Sequence, residues 1–285
     1  MTDTPFDAPV VVTGAGGYIG RHVVTALADR GVPVIAVVRP GSGAALDPRA
    51  RRVEFDILAE DTLPDGLAEA RALVHLAWRD GFVHNSPAHM LELSAHYAFL
   101  RRAAAAGVDA VVALGTMHEV GYWEGAIDAG TPTNPRSLYG VAKDALRRSL
   151  ELGLPEDVRL VWARCYYIFG DDRHSNSIFA RLLEAVAAGK STFPFTTGRN
   201  KYDFIAVEEL GRQLAAVALD DDARGVINCS SGEPVSLADQ VEWFIRSRGL
   251  PITLEYGAFP DRPYDSPAVW GDATRIHEIM AALPD

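Results

Sequence analysis

The chain has 285 residues, 48% of them hydrophobic and 23% charged, with a formal net charge of −11. That length suits one large domain, or a domain with a smaller lobe folded onto it. The negative balance argues against nucleic acid or an anionic membrane surface as a partner, since both need a positive field. The start "MTDTPFDAPVVVTG" has no basic segment leading into a long apolar core, and no run reaches about 18 apolar residues. The expected compartment is therefore the cytoplasm, with no membrane span. Cys165 and Cys229 lie in separate apolar runs and are expected as reduced, buried thiols; the chain has no disulfide framework and no zinc-ligand spacing.

In chain order, "PVVVTG" (9–14) reads as a buried strand. Tyr18 to Arg30 reads as a helix, with Ile19, Val23, Val24 and Leu27 on one face. Further strands are predicted at 32–38, 51–56, 72–77 and 109–115, with a helix near 88–106 closed by Gly107. A helix from about Ser137 leads into a strand at 158–164. Strands alternating with helices imply an α/β fold, a doubly wound parallel Rossmann sheet with right-handed crossovers. After that point the chain is richer in loops. Residues 1–170 plus 204–229 are assigned to the dinucleotide-binding domain, and 171–203 plus 230–285 to a smaller C-terminal substrate-binding lobe.

Directly after the first strand comes "TGAGGYIG", with Gly14, Gly17 and Gly20 spaced by three. Glycine allows a tight turn and a close backbone approach to a pyrophosphate, and the following helix N-terminus offers free N–H groups. An NAD enzyme usually ends its second strand with an acid for the adenosine ribose hydroxyls. Here that residue is Arg39, whose guanidinium suits a 2′-phosphate, so NADP(H) is favoured over NAD(H). The alternative for Arg39 is a solvated loop residue. Asp56, after the third strand, is placed either to reach the adenine amino group or to cap a turn.

Tyr139 and Lys143 stand four apart at the head of a helix, which puts both on one face. With nine tyrosines and only three lysines in the chain, this pairing is not expected by chance. A phenol titrates near ~10, and a neighbouring ammonium plus an oxidised nicotinamide would lower that value. Tyr139 is thus the candidate general acid/base at a carbonyl or hydroxyl. Lys143 is the candidate partner that also holds the nicotinamide ribose. Thr116, at the end of the fifth strand, can orient the reacting oxygen.

The motifs "TGAGGYIG", Asp56, "HLA" (75–77), Thr116 and "YGVAK" occur in order, and the chain resembles the extended short-chain dehydrogenase/reductase family of NDP-sugar epimerases, dehydratases and reductases. "RCYYIFG" (164–170) resembles the family's R-x-F-N-V-Y-G, "KYDFIAVEEL" (201–210) its R-D-F-I-x-V-x-D-L, and "RPYD" (262–265) its R-x-x-D. The resemblance implies dinucleotide contacts from Gly14, Gly17, Tyr18, Ile19, Gly20, Ile57, Leu76 and Ala77 besides Arg39 and Asp56. It implies a catalytic Tyr139, Lys143 and Thr116, and Arg262 and Asp265 on the nucleotide of a nucleotide-sugar substrate. It also implies a homodimer through the helix bearing Tyr139 and the helix before the fifth strand.

Three departures stand out. His118-Glu119 replaces the Asp-Glu pair of the dehydratases, and both residues are expected at the sugar. Tyr167 takes the usual asparagine position, also at the substrate. Tyr202 takes the usual arginine position, which leaves Arg199 and Lys201 as replacement cations. The segment 116–143 is most similar to the NDP-4-keto-6-deoxyhexose reductases, which implies reduction at C4, for example of dTDP-4-dehydro-6-deoxyglucose to dTDP-fucose. A 4-epimerase is the alternative.

Overall fold

The structure is a computed structural model that describes residues 7–170, 177–260 and 265–283. In chain order the first half runs β1 (Val10–Thr13), α1 (Gly20–Asp29), β2 (Val34–Val38), β3 (Arg51–Glu54), β4 (Ala72–His75), α2 (Ala88–Leu91), α3 (Leu93–Ala105) and β5 (Ala110–Thr116). A 3₁₀ turn (Met117–Glu119), β6 (Gly125–Ile127), α4 (Leu138–Gly153), β7 (Arg159–Cys165) and β8 (Tyr167–Phe169) follow. The remainder is α5 (Ile178–Ala187), β9 (Thr192–Pro194), β10 (Lys201–Ala206), α6 (Val207–Leu219), β11 (Gly225–Cys229), β12 (Pro234–Ser236), α7 (Leu237–Ser247), β13 (Thr253–Glu255), β14 (Ala268–Gly271) and α8 (Thr274–Ala282).

Seven parallel strands form the main sheet in the order β11-β7-β5-β4-β1-β2-β3. This is the doubly wound Rossmann arrangement expected from the alternating strands and helices. Both faces are covered, so the central strands are mainly apolar, with polar residues at their C-terminal ends, and β1 is buried at all four positions. Alternate residues serve opposite cores. Val10, Val12, Ala36 and Val74 pack towards α1 and α6, while Val11, Ile35, Val37 and Leu73 pack towards α3 and α4.

Several boundaries differ from the sequence reading. Helix α1 starts at Gly20 rather than Tyr18, because the glycine turn continues through Ile19. The helix expected over 88–106 bends at Glu92 and becomes α2 and α3. The packing also redraws the expected division into lobes. Ile276 and Ile279 of α8 pack in the first core with α6 and β11, although they fall within 230–285. Conversely Met117, Val120 and Ile127 join Phe179, Phe195, Tyr202, Phe244 and Val269 in a third core beneath the small sheets. The reason is β6, which pairs with β14 and so carries part of the first half across to the lobe.

The lobe has one sheet in the order β12-β10-β14-β6, with β8 pairing the end of β10, and a separate β13-β9 pair. Asp203 on β10 holds these elements together. Its side chain is fully buried and accepts from the Ser231 N–H at 2.8 Å, the Ser231 hydroxyl at 2.7 Å, the Gly232 N–H at 2.9 Å and the Gly271 N–H at 3.1 Å. One carboxylate thereby joins β10, the β11–β12 turn and β14. Replacing it with alanine leaves the buried Gly271 N–H and three partly buried donors without this acceptor. Asp203→Ala is expected to destabilise the fold by about 3 kcal/mol and to lower the melting temperature by about 6–10 °C, read by thermal unfolding.

Candidate active site

The β1–α1 turn is built by sterics. Gly14 has φ +67°, and a Cβ there would lie 2.7 Å from the Ala77 backbone nitrogen. A Cβ on Gly20 would stand 2.1 Å from the Gly14 carbonyl oxygen. Both positions therefore exclude a side chain. At Gly17 a Cβ would meet only the Gly14 carbonyl, at 3.1 Å, and otherwise project into open space. That open strip of backbone at the head of α1 is where an anionic group can approach.

A cleft of about 440 Å³ lies beside this turn, lined by Gly14, Gly17, Arg39, Asp56, Ile57, Leu76 and Ala77. Arg39 is exposed at the end of β2. Asp56 accepts from the Leu58 N–H at 3.0 Å, so it closes a turn while still facing the cleft. These residues fit an adenosine half, with Gly17 at the pyrophosphate. The larger cavity, about 1240 Å³, continues from Gly17, Tyr18, Ile19 and Gly20 past Thr116 to Asp265. The Tyr18 hydroxyl donates to the Gly170 carbonyl at 2.7 Å and forms part of that wall.

Helix α4 begins at Leu138, after Ser137, whose hydroxyl accepts from the Gly140 N–H at 3.2 Å. This cap fixes the helix against the end of β5 and brings together Thr116, Tyr139 and Lys143, all lining the large cavity. Burial raises the Tyr139 pKa far above its ordinary value; the carboxylate of Glu119 adds to the rise, and a hydrogen bond with Thr116 opposes it. Lys143 is 2% exposed and donates to the Leu114 carbonyl at 2.8 Å. Its pKa is pushed down to about 8 by burial, against the pull of Glu119. The site thus holds a protonated phenol beside an ammonium that titrates close to neutrality.

His118 and Glu119, adjacent in sequence, separate in space because a 3₁₀ turn follows Thr116. His118 lines the cavity, its ring 6.2 Å from that of Tyr139 and 6.5 Å from that of Tyr167. Burial, with a contribution from His84, lowers its pKa to about 4, so the imidazole is neutral at ordinary pH. Glu119 turns inward, which corrects its expected place at the sugar. It is fully buried, accepts from the Thr116 N–H at 2.7 Å and from the Trp162 indole at 2.9 Å, and lies 3.6 Å from the Arg164 guanidinium. Glu119 supports the Thr116 end of β5 from behind.

The expected replacement cations are also corrected. Arg199 and Lys201 are exposed and outside the cavity lining, whereas Asn200 and Tyr202 line it. Strand alternation explains this: with Tyr202 inward, its neighbour Lys201 points to solvent. Tyr202 and Tyr167 pack with ring centroids 4.5 Å apart. Asp265 lines the cavity, and Arg262 lies outside the described residues.

The sequence reading missed one wall entirely. The loop after β4 places Trp78, Asp80, Phe82 and His84 in the cavity, and Arg136 enters from the segment before α4. The His84 ring lies nearly parallel to Tyr139, 5.8 Å away at 12°, and 4.4 Å from His118. His75, His89 and His96 lie behind it. The concentration of histidines at 75, 84, 89 and 96, just after a strand, was the available signal. Among the described residues no group of three or more His, Cys, Asp or Glu is placed to hold a metal, and no helix is long and apolar enough to cross a membrane.

Residues 10–230 match the family described as NAD dependent epimerase/dehydratase. The chain is 42% identical over 267 residues to dTDP-6-deoxy-L-talose 4-dehydrogenase (NAD(+)) from Aggregatibacter actinomycetemcomitans, covering 92% of this chain and 98% of the relative. It is 26% identical to UDP-glucose 4-epimerase from Azospirillum brasilense, covering 100% and 90%. Among solved structures, MoeE5 in complex with UDP-glucuronic acid and NAD superposes with a TM-score of 0.77 at 25% identity, covering 96% and 93%. The chain belongs to the NAD-dependent epimerase/dehydratase family of extended short-chain enzymes that act on nucleotide sugars.

Proposed function

We propose that the chain is an NADPH-dependent reductase of the C4 ketone in a nucleotide-linked 4-keto-6-deoxyhexose. The carrying observation is the phenol of Tyr139, held protonated by burial within reach of Thr116 and above a buried ammonium. A nicotinamide dinucleotide, when bound, would supply the hydride for C4. Tyr139 would then give its proton to the carbonyl oxygen as it becomes an alkoxide, and Thr116 would donate to the same oxygen. Lys143 holds the ribose and offsets the charge left on the phenol. His118 and His84, both with lowered pKa values, orient the sugar as neutral groups. The relative that is 42% identical is named as a 4-dehydrogenase of a dTDP-6-deoxyhexose, which supports the same carbon and the same hydride transfer read in the opposite direction.

Arg39 and the lack of an acid at the end of β2 favour the 2′-phosphorylated cofactor, although that relative carries NAD(+) in its name. The two buried free thiols suit the reducing cytoplasm. The exposed Leu91 on α2 and Val141 and Leu152 on α4 suit a homodimer at that edge.

Tyr139→Phe is expected to lower kcat by about 10²–10⁴-fold while leaving dinucleotide binding near wild type. With wild-type protein and a 4-keto-6-deoxy sugar nucleotide, one NADPH is expected to be oxidised per product, followed by absorbance. Turnover with no net oxidation would instead establish the 4-epimerase. Gly17→Ala is expected to fold normally and to weaken dinucleotide affinity at least about tenfold by blocking the pyrophosphate approach, read by titrating the fluorescence of the reduced dinucleotide. Arg39→Ala should weaken NADPH about tenfold and leave NADH unchanged. Equal loss for both dinucleotides would remove Arg39 as the discriminating residue.

A further inference from the structure

Trp78 follows "HLA" at the end of β4 and lines both the cofactor cleft and the large cavity. Its indole is held on every side. The Nε1–H donates to Nδ1 of the buried His89 at 3.0 Å, which leaves the imidazole proton on Nε2, facing the Val83 carbonyl at 2.9 Å. One face stacks on His96 with centroids 4.5 Å apart at 18°. The ring also meets the edge of Tyr139 at 6.4 Å. The Lys143 ammonium stands 3.9 Å from the indole centroid, against 5.9 Å from the phenol of Tyr139.

We propose that Trp78 is a positioning residue that keeps Lys143 charged and aimed at the dinucleotide, with His89 fixing the indole. The inference rests on the reading of Lys143 as the group that holds the nicotinamide ribose. Lys143 donates one hydrogen bond, to Leu114, and its remaining hydrogens face the indole and the cavity. The electron-rich face of Trp favours a cation and does not consume a donor, so the ammonium is steadied without being taken out of use.

The arrangement also couples the two catalytic side chains. His89 is tied to Val83, and the same loop caps the head of α4. The His84 carbonyl accepts from the Tyr139 N–H at 2.9 Å, and Asn85 Oδ1 accepts from the Leu138 N–H at 3.1 Å. One continuous chain of contacts therefore runs from the Lys143 ammonium through Trp78 and His89 to the backbone of Tyr139.

The groups that set the charge of Lys143 come from several elements. Glu119 on the 3₁₀ turn favours the ammonium, Cys165 on β7 is a neutral thiol whose own pKa burial pushes up to about 12, and Tyr139 precedes Lys143 by one turn on α4. His75 on β4 and His96 on α3 are both buried with lowered pKa values, hence neutral at working pH. Burial opposes the charge and brings Lys143 to about 8. Losing the indole face lowers it further, so the ammonium is lost at a lower pH.

The test uses the full chain and the reduced dinucleotide alone, with affinity read from dinucleotide fluorescence between about pH 6 and about pH 10. For Trp78→Leu the expected result is about a tenfold loss of affinity, with the alkaline fall in binding moved to lower pH. Trp78→Phe keeps an aromatic face and is expected to restore most of the affinity and the position of that fall. His89→Leu is expected to behave like a weaker Trp78→Leu, and His89→Gln, which can still accept from the indole and donate to Val83, like wild type. Affinity lost equally at all pH values, with no recovery in Trp78→Phe, overturns the proposal in favour of a packing role. No sugar is present, so the outcome does not depend on which carbonyl is reduced. If Lys143→Met weakens binding and Trp78→Leu does not, the role of Trp78 alone falls. If Lys143→Met has no effect, the ribose reading of Lys143 falls with it.

Discussion

Lys143 carries its charge at 2% exposure, and an ammonium taken out of water is stable only where its surroundings replace the lost hydration. The replacements come from three elements distant in sequence: the Leu114 carbonyl on β5, the indole of Trp78 after β4, and the carboxylate of Glu119 beyond the strand end. Each requires β4, β5 and α4 to be in register, and that register follows from the parallel pairing of Ala72–His75 with Ala110–Ala113. The central sheet thus fixes the ammonium, and the ammonium fixes the place of the phenol four residues earlier on the same helix.

Charge is sorted around that group by depth. Glu119, Arg164 and Asp203 are fully or almost fully buried behind the cavity walls, each with several partners. The surface that a substrate meets is mainly neutral: Thr116, His118, Tyr167, Asn200 and Tyr202, with Lys143 and Arg136 as cations and Asp80 and Asp265 as acids among the described lining residues. Such a wall recognises hydroxyls through hydrogen bonds with little ionic attraction. For a chain of net charge −11, the attraction proposed for an anionic dinucleotide has to be local, from Lys143, Arg39 and the open backbone at the head of α1.

The parts of this site that were legible in the sequence are those encoded over a few residues. The turn from Gly14 to Gly20 follows from sterics within one loop, and Tyr139 and Lys143 share a helix face by spacing alone. The misplacements have a common origin in geometry beyond that range. Glu119 is expected at the sugar because His118-Glu119 takes the place of the dehydratase Asp-Glu pair, but a 3₁₀ turn sends the two neighbouring side chains in different directions. Arg199 and Lys201 are expected there for their charge, while alternation along β10 turns Tyr202 inward and Lys201 out, and the segment before the strand brings Asn200 to the cavity. Trp78 gives no local pattern, and the histidines at 84 and 89 stand out only by their concentration, since the partners of all three lie on α3, α4 and the 3₁₀ turn. The packing of β6 and α8 is not legible locally either, because β6 pairs with β14 and α8 packs in the first core, both far away along the chain.

The two titrating groups at the centre respond to burial in opposite senses. Burial raises the phenol of Tyr139 and lowers the ammonium of Lys143, since each is pushed towards its neutral form. Without further positive charge Tyr139 stays protonated over the ordinary pH range, which is the state that donates to an alkoxide. Taking a proton from an alcohol requires the phenolate, and the cation available to stabilise it is the same Lys143, whose charge falls away near pH 8. The pair by itself favours proton donation, and in the proposed chemistry the reverse step, taking a proton from an alcohol, would draw on the positive charge that an oxidised nicotinamide brings. An ammonium already tuned to titrate near neutrality gives the surrounding aromatic groups leverage over that balance, because small changes in their contact with it alter the fraction that is charged.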